Sequence, residues 1–167
     1  NPITRICNPC LKTNPTGKKM KDVISSVNQT DETGRENGGH NIFGDKSISF
    51  WKEGGTFQKF TSKDGDSGYR ATVSQFKKTN GDIYVLKDYS AVEFHYHIHP
   101  CISQIRKSGL ANPSDTDFLT MGYNYTNKFR GTAFVIGLRS NKVQFYGDKK
   151  SYITISYEVY KKIRLEN

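Results

Sequence analysis

Cysteine is scarce: Cys7, Cys10 and Cys101 are the only three in 167 residues. An odd number cannot complete a set of intrachain disulfides. Cys7 and Cys10 form one CxxC in a Pro- and Asn-rich opening with no second ligand pair nearby. That excludes a zinc knuckle and leaves both as free thiols. Long apolar runs are missing too. The longest, AFVIGL at 133–138, is the length of a buried strand and far short of a membrane span, and no signal-peptide pattern is present. Internal repeats and low-complexity tracts are absent. Acidic residues are the minority charge, 16 against 25 Lys and Arg, which leaves a formal charge of +9. Such a surface attracts nucleic acid, anionic membrane or an acidic protein without choosing among them. Aromatics, by contrast, are plentiful, with 10 Tyr and 10 Phe, and this excludes a disordered chain.

The length suits one domain with a single sizeable core. Residues 1–17 have no periodicity and read as a linker-like segment, so the domain is expected over 18–167. Met20, Val23, Ile24 and Val27 recur at helical spacing and predict an amphipathic helix over about 18–28. From about 40 to 160 the signal is strand. TNGD at 79–82 separates YRATVSQF from IYVL and predicts a hairpin; SNK at 140–142 does the same between FVIGL and VQFY. YITISYEVY at 152–160 alternates as a strand does. The expected fold is α/β in the α+β sense: a mixed, largely antiparallel sheet with a few flanking helices.

Three of the four histidines fall on alternate residues in EFHYHIHP, 93–100. On a strand, Val92, Phe94, Tyr96 and Ile98 face one way and Glu93, His95, His97 and His99 the other. Pro100 cannot donate to a ladder and ends the strand. Two imidazoles at i and i+2 near a strand end can reach one metal ion. A solvated polar face is the simpler account of one histidine; for three, metal binding is preferred. A metal needs a further ligand. Ser114 and Asp117 are three apart before an apolar run, the pattern of a helix capping box, which also holds a carboxylate at a helix start. Glu36 opens ENGGHNIFG, whose glycines allow close backbone approach as a strand begins, or simply form a turn.

Glu36 with Gly38-Gly39, then His97-x-His99-Pro, then Ser114-x-x-Asp117, resembles the JAMM signature of the JAB/MPN metalloproteases. The likeness covers roughly 18–160 in outline, and only the short motifs are specific. Within that family the chain most resembles the JAB-like toxin modules of bacterial polymorphic and Rhs-type toxins. An opening Asn in place of Met suits a module released from a longer carrier.

The resemblance implies a zinc ion on His97, His99 and Asp117 with a fourth position for water, Glu36 as general base, and Ser114 as donor to the oxyanion. It implies hydrolysis of a peptide or isopeptide bond in a protein substrate. It also implies a delivered effector acting in the target-cell cytoplasm, and a cognate immunity protein that the basic charge would attract. Two departures stand out. Residues 100–113 make the His99–Ser114 spacing about twice the usual one. Glu53, in WKEGGTF, is also followed by two glycines and competes with Glu36. His95 shares the ligand face but lies further from the strand end, and is expected beside the site or at the surface.

Two other functions fit parts of the chain. A basic metal-dependent nuclease toxin fits the +9 charge, with Tyr and Lys interleaved in YEVYKKIR to stack bases, although those aromatics also suit core packing. No His-Asn-His arrangement and no paired acidic cluster supports it. A non-catalytic MPN-like binding module fits the fold, but the intact His, His, Ser and Asp set argues against it.

Overall fold

Helix α1, Gly17–Thr33, buries Met20, Val23, Val27 and Thr30 along one stripe and ends at Gly34. Gly34 adopts φ +67°, and its amide donates to the Thr30 carbonyl at 2.9 Å. The helix outruns the 18–28 expected because its last buried positions are polar. Ser26 Oγ meets Tyr96 OH at 2.8 Å, and Thr30 Oγ1 accepts from Asn37 Nδ2 at 3.0 Å. Apolar periodicity cannot see such positions. The computed structural model describes residues 13–52, 58–61, 63, 67–70, 76–78, 80–114, 117–118, 129–147 and 151–166.

Ten strands follow among those residues: β1 Asn37–Ile42, β2 Ser49–Trp51, β3 Gln58–Thr61, β4 Ser67–Arg70, β5 Phe76–Lys77, β6 Ile83–Tyr84, β7 Val92–His99, β8 Thr132–Gly137, β9 Lys142–Tyr146 and β10 Ser151–Ser156. Eight form one sheet in the order β10-β9-β8-β7-β1-β2-β5-β6, and β3 pairs with β4 apart from it. All pairs are antiparallel except β7 with β8. The mixed, largely antiparallel α+β sheet is therefore as expected. Both hairpins form. β5 and β6 turn through Gly81 at φ +94°, and β8 and β9 turn through Asn141 at φ +52°.

β7 and β8 are covered on both faces. On one, Phe94, Tyr96, Ile98, Phe134 and Ile136 pack against Met20, Val23 and Val27 of α1 and against Tyr157 and Tyr160. Burying each large side chain there stabilises the fold by about 1.5–3 kcal/mol. On the other, Ala133 and Val135 meet Phe129, Tyr146 and Phe118. Val92, expected beside Phe94, packs with this second group. It opens the strand, where the pairing with β1 shifts register between Asn41 and Ile42.

The strand read over 152–160 stops at Ser156, and helix α2, Tyr157–Leu165, takes over. Ser156 caps it, its side chain accepting from the Val159 amide, with Glu158 in the first turn and Lys162 and Arg164 in the last. Tyr157, Tyr160 and Arg164 make its buried stripe. Alternation in YEVY misled because Val159 is exposed and the aromatics are three apart. Tyr157 and Tyr160 are core residues, so they are not available to stack on bases. The end of the supposed linker is docked on this helix. Tyr160 OH donates to Asn14 Oδ1 at 2.5 Å, and Arg164 Nε donates to the Pro15 carbonyl at 3.1 Å.

Candidate metal centre

β7 lies in the middle of the sheet, between antiparallel β1 and parallel β8, so its histidines stand at the end of a central strand and not at a sheet edge. Pairing places Gly38 opposite His97 and Asn37 opposite Ile98, and the next step outward carries Glu36 toward His99. The turn before β1 is locked by Asn37 Nδ2, which donates to Thr30 Oγ1 and to the Arg35 carbonyl. Donor atoms of Glu36, His97 and His99 all lie within 4.8 Å of one another. A side chain at position 38 would collide with the Tyr96 carbonyl, so only glycine admits this close pairing. The indole of Trp51 lies beside Gly38 and stacks on the His97 ring, with centroids 6.2 Å apart and planes 16° apart.

The two imidazoles face each other through Nε2, 3.1 Å apart. His99 Nδ1 lies 2.7 Å from the Leu110 carbonyl, which can only accept. His99 therefore carries its proton on Nδ1 and turns a lone pair on Nε2 toward His97.

Asp117 arrives from downstream of β7, beyond the 100–113 segment. Its Oδ2 lies 3.4 Å from His97 Nε2. The capping box is real: Ser114 N donates to Asp117 Oδ2 at 2.7 Å and Asp117 N donates to Ser114 Oγ at 3.1 Å. It aims the carboxylate at the strand end. Asp117 joins the cluster through His97, while Glu36 has a donor atom within 4.8 Å of both histidines. Ser114 is exposed.

Charge separates the two carboxylates. Burial raises Glu36 to about 7, against the pull of His97 and with Asp117 adding to the rise. Burial also pushes on Asp117, but the His97 charge and hydrogen bond and two hydrogen bonds from Ser114 hold it well below the ordinary carboxylate range. Burial would depress His97, yet the Asp117 charge and hydrogen bond and the Glu36 charge raise it to about 9. His99 is held down at about 4 by burial and the His97 charge, against the Leu110 hydrogen bond and Asp117. The pocket between these groups thus favours a positive charge.

The residues fit a metal ion. In a tetrahedral site with bonds of 2.0–2.1 Å, neighbouring donors are roughly 3.3 Å apart. The observed separations are 3.1 Å for His97–His99 and 3.4 Å for His97–Asp117, and the three donors that lie mutually within 4.8 Å are those of Glu36, His97 and His99. Nitrogen and carboxylate donors suit zinc among several divalent ions.

No family model, no curated protein and no solved structure matches the chain.

Glu36, His97, His99 and Asp117 are thus brought together, with Ser114 at the rim. Glu53, Cys7 and Cys10 lie outside the described residues. Cys101 is a free, exposed thiol. His95 stays beside the site, half-buried, its ring against Phe129 and Tyr146 at 5.4 and 6.3 Å. Sequence reasoning missed His40, Trp51, Tyr146 and the Leu110 carbonyl. His40 pairs opposite His95 and is fully buried against Phe76 and Tyr84. The period of two from Glu36 through Gly38 would have pointed to it. Nothing in the sequence signals Trp51 or Leu110, whose roles come from distant packing.

Proposed function

We propose that the chain is a zinc-dependent hydrolase of JAMM type that cuts a peptide or isopeptide bond, as the effector module of a bacterial toxin. The observation that carries the chemistry is the convergence of three chain segments at His97: donors of Glu36, His97 and His99 lie within 4.8 Å of one another, and Asp117 Oδ2 lies 3.4 Å from His97 Nε2. His97, His99 and Asp117 would hold the ion. Zinc, when bound, supplies Lewis acidity toward the scissile carbonyl and toward water. Glu36 takes a proton from the attacking water as the C–O bond forms. It returns that proton to the amine as the C–N bond breaks. Two carboxylates driven apart in acidity is the pattern expected of such a division: Asp117 a permanent anion, Glu36 a base poised near neutrality. Ser114 Oγ accepts from the Asp117 amide, and its hydroxyl proton, which bonds the Asp117 carboxylate, would turn to the oxyanion.

The toxin assignment, and an acidic immunity protein as partner, rest on the motif likeness and the +9 charge. The experiment is elemental analysis of wild type, His97→Ala/His99→Ala, Asp117→Asn and Glu36→Gln, alongside hydrolysis of peptide and isopeptide substrates. Near one zinc per wild-type chain, lost in the double variant and weakened in Asp117→Asn, supports the site. Glu36→Gln should keep zinc and lose hydrolysis. If Glu36→Gln loses zinc and Asp117→Asn keeps it, the two carboxylates exchange roles. Metal-dependent cleavage of plasmid DNA with no peptide cleavage would move the reading to a nuclease. No zinc in the wild type would leave a binding module.

A further inference from the structure

The segment between His99 and Ser114 is not a slack connection. Two successive tight turns form where Ile105 N donates to the Ile102 carbonyl and Ser108 N to the Ile105 carbonyl, each at 3.0 Å. Ser108 Oγ sits inside them. It accepts from the Ile102 amide at 2.8 Å and lies 2.7 Å from the Ile105 carbonyl.

Arg139, two residues beyond β8, then closes over the turns. Its Nε donates to the Ser108 carbonyl at 2.8 Å and its Nη2 to the Ile102 carbonyl at 3.0 Å. Its own amide donates to the Gly109 carbonyl at 2.9 Å, and Leu138 N donates to the His99 carbonyl at 3.1 Å. Two glycines make the fit possible. Gly109 takes φ +74°, and a Cβ there would press on the Arg139 backbone; a Cβ on Gly137 would collide with the backbone of 109–111.

The residue that follows this clamp is Leu110, whose carbonyl meets His99 Nδ1. Arg139 itself is exposed, so water could satisfy the carbonyls it binds. What water cannot supply is a fixed place for the loop. A guanidinium with several donors in one plane can tie carbonyls from separate turns at once.

We propose that Arg139 is a positioning residue for the metal centre: it locks the 101–110 loop so that the Leu110 carbonyl holds His99 in the Nδ1–H form with Nε2 facing His97. The affinity consequence rests on the zinc reading above; the tautomer consequence does not.

The test uses Arg139→Ala, Arg139→Lys and Ser108→Ala in the whole chain. One readout is zinc affinity by chelator competition; the other is the His99 tautomer from nitrogen-15 NMR of the zinc-free protein. Loss of an outer-shell partner of this kind weakens metal binding by about 10–100-fold. That loss is expected for Arg139→Ala, together with mixed His99 tautomers, and a smaller loss for Arg139→Lys, which can reach fewer carbonyls. Ser108→Ala should move both readouts the same way, and decides the matter should Arg139→Ala not fold. Wild-type zinc affinity and a pure Nδ1–H His99 in the folded variants would overturn the proposal. A wild type that binds no zinc would sink the zinc reading alone, with the tautomer still deciding the role of Arg139.

Discussion

Zinc binding should tighten roughly tenfold for each unit of pH between 6.5 and 8.5, because the ion must displace a proton from His97. The proton is there because Asp117 and Glu36 outweigh burial and hold the imidazole at about 9, above its ordinary 6.5. His97 is therefore mostly protonated at pH 7, and affinity at the proposed zinc site would stand well below its alkaline limit. Asn at position 117 removes the larger of the two opposing charges. Burial then prevails, the His97 proton leaves at lower pH, and the affinity curve of Asp117→Asn should flatten below pH 8. Chelator competition at several pH values gives the slope. Calorimetry in buffers of different ionisation heat counts the proton released, close to one per zinc at pH 7.5. A flat wild-type curve over this range would refute the claim that zinc and a proton compete for His97. A steep curve persisting in Asp117→Asn would refute Asp117 as the cause.

Three further outcomes follow from the packing. Gly38→Ala should lower stability by about 2 kcal/mol in urea unfolding, since its Cβ meets the Tyr96 carbonyl across a rigid strand pair; unchanged stability would mean the strands can part. Ser26→Ala leaves the Tyr96 hydroxyl buried without that partner and should cost about 1–3 kcal/mol, while the double change with Tyr96→Phe should cost less than the sum. His40 is held down at about 4 by burial, so its folded value lies below its unfolded one. Its contribution is fully present above pH 6.5 and is lost as pH falls toward 4, roughly 3 kcal/mol in all. Zinc-free His40→Leu should therefore lose less stability between pH 7 and pH 4.5 than the wild type does, and parallel profiles would show that His40 does not titrate on unfolding.

Local patterns were legible where one rule acts alone. Alternation in VEFHYHIH put Phe94, Tyr96 and Ile98 in the core and the histidines on the opposite face, and TNGD and SNK each turned a hairpin. The Ser114–Asp117 spacing announced a capping box, and it is one. Where two rules competed, the periodic one misled. YEVY alternates, yet Ser156 caps a helix whose buried stripe is Tyr157, Tyr160 and Arg164. Ser26 and Thr30 extend α1 because their hydroxyls find partners in β7 and at the start of β1, which no window of apolar residues registers.

The candidate ligands could be named from the sequence because their residue types and short spacings carry chemistry wherever they fold: His at i and i+2 on a strand, an acid three residues after a serine. Their meeting could not. Only the pairing of β1 with β7 brings Glu36, sixty residues upstream, to the same strand end, and only a bare Gly38 permits it. Only the clamp on 101–110 places the Leu110 carbonyl against His99, since a backbone oxygen has no signature in a sequence. The acidities belong to the tertiary structure as well. Glu36 and Asp117 are near equals in water; burial lifts one, and His97 with the Ser114 cap holds down the other.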